Sequence, residues 1–149
     1  MNNNEVIAVL NNIIETCRAG QSTFRNAADS MRNSEFRRLF NIFSQQRTQF
    51  ITELQSEVHR LGGDANSEGD RVSFRGAVPF RSPFAIKAAA LRDEATLIAE
   101  CQIEEEGAVN SYQEALKADL PLDVQYVVKR QYMDIKDAYD RIRILQRAA

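Results

Sequence analysis

The sequence predicts an all-α protein built as a bundle of four long helices. Two observations carry that prediction: apolar residues recur at alternating steps of three and four along four segments, and the breaks between the segments are made of residues that stop or start helices. The first segment, residues 4–31, lines up Leu10, Ile13, Cys17, Phe24, Ala27 and Met31 on one face. The second, residues 35–61, aligns Phe36, Phe40, Phe43, Phe50, Leu54 and Leu61, with Arg47 and Glu57 in the same series. Gly62-Gly63 then ends the helix, because glycine takes the left-handed backbone after a C-terminus without steric cost. The third segment, residues 87–118, carries Leu91, Glu94, Ile98, Cys101, Glu105, Ala108, Tyr112 and Ala115. The fourth, residues 121–146, carries Val124, Val128, Gln131, Ile135, Ala138, Ile142 and Leu145. Pro121 suits its first turn, where the missing N–H would have no partner in any case. Long helices that each bury one stripe pack most economically as a four-helix bundle.

Composition sets the outer bounds. A chain of 149 residues with 44% apolar side chains has material for one core, and a single domain over residues 1–149 is expected without disulfides or a structural metal. Nineteen Lys and Arg against 21 Asp and Glu leave a net charge of -2, and no basic run is present, which argues against nucleic acid or an anionic membrane as the main partner. The opening residues Met1 to Glu5 hold no basic region, and no stretch is apolar for the length of a membrane span, so a bacterial-type cytoplasm is the expected location. Cys17 and Cys101 lie on apolar faces of separate helices and are expected as buried, reduced thiols rather than as a disulfide.

The connections predict the topology. Helices one and two meet around Arg32-Asn33-Ser34, with Asn33 or Ser34 placed as a cap, and helices three and four meet at Asp119-Leu120-Pro121. Both joints are short enough to force antiparallel neighbours. Residues 63–86 are a longer connection, rich in Gly, Asp and Ser, with Phe74, Phe80 and Phe84 favouring a segment that packs on the bundle. About 20 extended residues reach roughly 60 Å, and a helix of about 27 residues is only about 40 Å long, so this segment can cross the whole bundle. One long crossover between helices two and three is the arrangement of ferritin-like folds.

Particular residues then resemble a family. They are Asn11 to Ala28, Gln45-Gln46-Arg47 followed by Phe50 and Glu53-Leu54, Leu61-Gly62-Gly63, Phe74-Arg75-Gly76, Glu100-Cys101 ahead of Glu104 and Glu105, Tyr112 with Glu114-Ala115-Leu116, and Asp140-Arg141-Ile142. Together they resemble the bacterial ferritin-like four-helix-bundle proteins known as a domain of unknown function. The resemblance implies the fold and an ancestry in carboxylate-bridged iron chemistry, with no assigned activity. This chain departs from the pattern at Phe74 and Tyr139, where histidine is common in the family.

A di-iron centre in such a bundle needs a Glu on each of two helices and a Glu-x-x-His motif on each of the other two. This chain has a single histidine, His59, preceded three residues earlier by Ser56 and placed on the polar side of its helix, so it is expected to face solvent. The polar residues that fall on inward faces are Gln21, Arg47, Glu57, Glu94, Glu105, Gln131 and Tyr139. A buried charge must be paired or neutralised. The expected solution is a core network of Gln21, Arg47, Glu105, Gln131 and Tyr139, in which the Arg47 guanidinium supplies the charge that a metal would otherwise bring to Glu105. No metal is expected on this reading. Its alternative is iron held by oxygen ligands alone, from Glu53, Glu57, Glu104 and Glu105. Glu104, Glu105 and Glu106 are consecutive, so they splay around their helix. A ligand site between helices would require space near Gly20 and Ala108. No catalytic group is expected, since neither thiol has an inward-facing histidine base.

One surface feature points to a partner. Tyr126, Met133 and Ile144 fall on one line of helix four, opposite Ile135 and flanked by Arg130, Asp137 and Asp140, which suggests contact between subunits of a homo-oligomer. The functional expectation is a non-catalytic ferritin-like bundle acting in assembly or protein interaction, with an iron-binding or iron-oxidising protein as the alternative.

Overall fold

Each helix starts where the sequence supplies an acceptor for its first free N–H groups. The computed structural model describes residues 1–64 and 93–148, and in these the chain forms α1 (Asn3–Ser30), α2 (Ser34–Arg60), α3 (Glu94–Lys117) and α4 (Leu122–Ala148). The Asn2 side chain accepts from the N–H of Glu5 while the Glu5 carboxylate reaches back to the Asn2 N–H, a reciprocal capping box. Asn33, of the two candidates, caps α2 by accepting from the N–H groups of Glu35 and Phe36. The Pro121 carbonyl accepts the first bond of α4, from the Gln125 N–H at 2.8 Å, which places the proline one residue ahead of the helix.

The third helix differs from the expectation. It begins at Glu94 rather than at residue 87, because Asp93 has extended backbone and its side chain caps the Thr96 N–H at 2.8 Å. Residues 87–92, with Leu91, lie outside the described residues, as do Phe74, Phe80, Phe84 and the predicted crossover from residue 65 onward.

Contacts across the bundle fix the directions of the helices. Cys17 meets Tyr112, Thr23 meets Glu104, and Arg32 meets Glu94, so α1 and α3 run antiparallel. Glu53 meets Arg130 and Arg60 meets Asp123, so α2 and α4 are antiparallel as well. With short joints between α1 and α2 and between α3 and α4, the partners left on the diagonals, α2 with α3 and α1 with α4, are parallel. The end of α2 and the start of α3 therefore lie at opposite ends of the bundle. That is the topology that a single long crossover between helices two and three requires.

The predicted faces are the buried ones: Leu10, Ile13, Cys17 and Phe24 of α1, Phe40, Phe43, Phe50 and Leu54 of α2, and Val124, Val128, Ile135 and Ile142 of α4 are all core. The faces are wider than one stripe, and Ile14, Ile51, Val58 and Leu97 are buried too, because a helix in a bundle touches two neighbours. The core falls into two apolar clusters. One, around Val6, Leu10, Leu54, Tyr112 and Val128, fills the end where α1 begins; the other, around Phe24, Phe40, Ile98 and Ile142, fills the end where α1 stops.

The glycines after α2 divide their work. Gly62 holds the left-handed backbone (φ 86°) that ends the helix, and no other described residue has positive φ. Gly63 is instead demanded by packing, since a Cβ there would lie 2.8 Å from Ile7 Cδ1 and 2.9 Å from Val58 Cγ1. Replacing Gly62 with Ala should lower stability in urea denaturation by about 1 kcal/mol. Gly63→Ala should cost about 1–3 kcal/mol, part of it recovered by adding Ile7→Ala. Strictly additive losses would show that Ile7 does not set the requirement at Gly63.

Candidate functional site

Between the two apolar clusters, at mid-height of the bundle, lies a charged layer. Arg47 of α2 and Glu105 of α3 form an ion pair across the diagonal, and their side chains are 1% and 0% exposed. An arginine suits this position because its long stem crosses the apolar interior and its planar head offers several donors at once. The second amino group of Arg47 donates to Gln46 Oε1. The guanidinium also sits 5.2 Å from the Phe24 ring centre and 5.7 Å from that of Phe50, one ring from each apolar cluster. On the α1 side the Arg47 stem passes Gly20, where an added Cβ would be in ordinary contact at 3.6 Å. The space near Gly20 is thus taken by Arg47. Burial pushes the Glu105 carboxyl above the usual range, with Arg47 holding it partly back. Its Oε1 has no hydrogen-bond partner among the described residues.

A second polar chain joins all four helices. Gln131 Nε2 of α4 donates to Glu53 Oε1 at 2.9 Å and to the Phe50 carbonyl at 3.4 Å, both on α2. The Gln131 Oε1 accepts from the Tyr112 hydroxyl of α3 at 2.7 Å. That uses the only proton of the tyrosine, so the Cys17 thiol of α1, 3.1 Å away, is the donor to the Tyr112 oxygen. The chain ends at the surface, where Glu53 pairs with Arg130 at 3.1 Å. Cys17 and Cys101 are both free and buried. Burial raises the Cys17 thiol to about 11 and the Cys101 thiol to about 12, so neither is a ready nucleophile. The Tyr112 hydroxyl is likewise raised by burial.

The remaining sequence-predicted residues go elsewhere. Gln21 is half-buried and donates to Thr48 Oγ1 at 2.6 Å, away from the Arg47 pair. Tyr139 is half-buried against the core edge, with Lys136 and Arg143 over its ring, and joins neither polar chain. Glu94 accepts from the backbone N–H groups of Arg32 and Asn33 at 2.6 Å each, which ties the start of α3 to the α1–α2 turn. His59 is exposed.

The four carboxylates of the alternative iron site are not gathered. Glu53 is committed to Gln131 and Arg130, Glu57 pairs with Arg60 at the surface, Glu104 accepts from Thr23 at 3.0 Å, and only Glu105 lies in the central layer. Among the described residues no three His, Cys, Asp or Glu side chains are grouped to hold a metal ion. The Arg47 guanidinium is the cation beside Glu105 in the central layer. Sequence reasoning placed Arg47, Glu105 and Gln131 in the core but left Cys17, Tyr112 and Glu53 out of the polar chain. Cys17 and Tyr112 were visible only as members of apolar stripes, and Glu53 sits at the edge of its helix's buried face.

The architecture defines the class: this is a ferritin-like four-helix bundle. The chain belongs to the family described as a domain of unknown function, DUF2383, whose model matches residues 5–118. No curated protein matches it. Among solved structures it is similar to a two-domain protein of Anabaena variabilis containing DJ-1/ThiJ/PfpI-like and ferritin-like domains, with a TM-score of 0.81 and 14% identity. The alignment covers 99% of this chain and 40% of that one, so the chain spans about two fifths of its structural relative. At that identity the likeness is one of fold.

Two measurements check the site. Arg47→Met should cost about 3–5 kcal/mol in chemical denaturation, since it strands a buried carboxylate, and adding Glu105→Leu should recover most of the loss. For the thiols the folded values lie above the ordinary 9.0, so their stabilising contribution is complete below that pH and is lost as pH rises through about 11 for Cys17 and about 12 for Cys101. The melting temperature should therefore fall across that window, and Cys17→Ala should reduce the slope.

Proposed function

We propose that this chain is a non-catalytic, cytoplasmic, ferritin-like bundle that acts in assembly or protein interaction. The observation that carries the reading is the buried Arg47–Glu105 pair at the centre of the bundle. A guanidinium is permanently charged and cannot leave, so it neutralises the central carboxylate without a cofactor. The two protonated thiols and the hydrogen-bonded tyrosine beside it offer no nucleophile or base. Two buried, unlinked thiols suit a reducing compartment, and among the described residues no helix is long and apolar enough to cross a membrane.

The test uses untagged protein incubated with ferrous iron under anaerobic conditions, dialysed and exposed to oxygen. The expected result is no stoichiometric iron, no absorbing oxidised product and a melting temperature indifferent to chelator. Retention of about two irons per chain, as a carboxylate-bridged centre would hold, would overturn the reading in favour of an iron-binding or iron-oxidising protein.

A further inference from the structure

The outward face of α4 carries an apolar line that the core leaves uncovered. Among the described residues seven large apolar side chains are exposed, and three of them are scattered, Met1 ahead of α1, Ile42 on α2 and Ile103 on α3. The other four, Leu122, Tyr126, Met133 and Ile144, are 83%, 70%, 63% and 63% exposed and share one side of α4, opposite Ile135. At about 1.5 Å per residue the line runs about 33 Å. Four exposed large apolar side chains aligned on one side of a helix, interspersed with charged residues, suit a contact surface better than single exposed residues would.

The charges beside the line are ordered along it. Lys129 and Arg130 stand before Met133, Asp137 and Asp140 stand after it, and Arg147 follows at the far end beyond Ile144, all within about 60° of the apolar line on a helical projection. We propose that this face binds a second copy of the chain, with α4 against α4 in antiparallel register about a two-fold axis near residues 134–135. Such an axis makes residues on the same side of the line meet at equal distances from the centre. Tyr126 then meets Ile144 of the partner subunit, Lys129 meets Asp140 of the partner subunit, and Arg130 meets Asp137 of the partner subunit. A parallel pairing would set base against base and acid against acid, and a partner of uniform charge would be repelled by half of the face. The charge order therefore selects the reversed copy of the same helix. Within the chain Arg130 already touches Glu53, Lys136 touches Asp140, and Arg141 touches Asp137, but these are partly or fully exposed pairs that exchange partners at little cost.

The pairing rests on the reading of this chain as an interaction protein, and the iron experiment decides that reading independently of any mass measurement. Sedimentation velocity of the full chain over a range of concentrations is the test, with circular dichroism as the control for folding. The wild type is expected to be a dimer, with Met133→Asp and Ile144→Asp each weakening association by about tenfold or more. A variant carrying Lys129→Glu and Arg130→Glu should be monomeric, as should one carrying Asp137→Lys and Asp140→Lys. An equimolar mixture of the two should form mixed dimers. A monomeric wild type, a dimer indifferent to these substitutions, or charge variants that fail to pair with each other would each overturn the proposal.

Discussion

The ion pair of Arg47 and Glu105 is the constraint around which the interior is arranged. Both groups lie fully inside the bundle, on helices that face each other only across the diagonal. Two ions out of water are costly, and their attraction offsets that cost only when geometry and neighbouring groups are favourable. Here the neighbours are supplied by sequence-distant residues. Gln46 accepts from the guanidinium, Phe24 and Phe50 offer ring faces on either side of it, and its stem passes Gly20. The pair also separates the two apolar clusters, so the core is better described as two hydrophobic layers joined by one charged layer than as a continuous stripe. A buried charge pair of this kind restricts the helices to one register, since any slip would leave both charges alone.

The chain from Cys17 through Tyr112 and Gln131 to Glu53 and Arg130 complements that layer. It touches all four helices, α4 at both Gln131 and Arg130, and runs from the centre to the surface. Its donors and acceptors are matched in one direction only, because Gln131 fixes the tyrosine proton and the tyrosine in turn fixes the thiol as donor. The thiols are buried, the phenol is already hydrogen-bonded, and the Glu105 carboxylate is held by arginine. The exposed α4 line stands in contrast, since its four large apolar residues take no part in the core formed by the described residues.

Membership of a family without an assigned activity, and a structural likeness at low identity, leave function to be argued from the site rather than from the fold. The same bundle that accommodates carboxylate ligands in ferritin-like proteins accommodates an arginine here.

The sequence by itself determined the helices and their inward faces, because helical periodicity is local and each buried position repeats every three or four residues. Asn33 at the start of α2 and Gly62 at its end were legible for the same reason, as caps act within one turn. It also placed Arg47, Glu105 and Gln131 inward as single positions. What only the tertiary structure decided was which of them meet. Arg47 reaches Glu105 across the diagonal, whereas Gln21 turns to Thr48, Glu57 turns to Arg60, and Glu94 leaves the core to tie down the turn at Arg32 and Asn33. The packing demand at Gly63 belongs to the same class. The physical reason is that periodicity gives the angle of a side chain around its own helix, but not the axial register between helices, and side-chain contacts across a bundle depend on both.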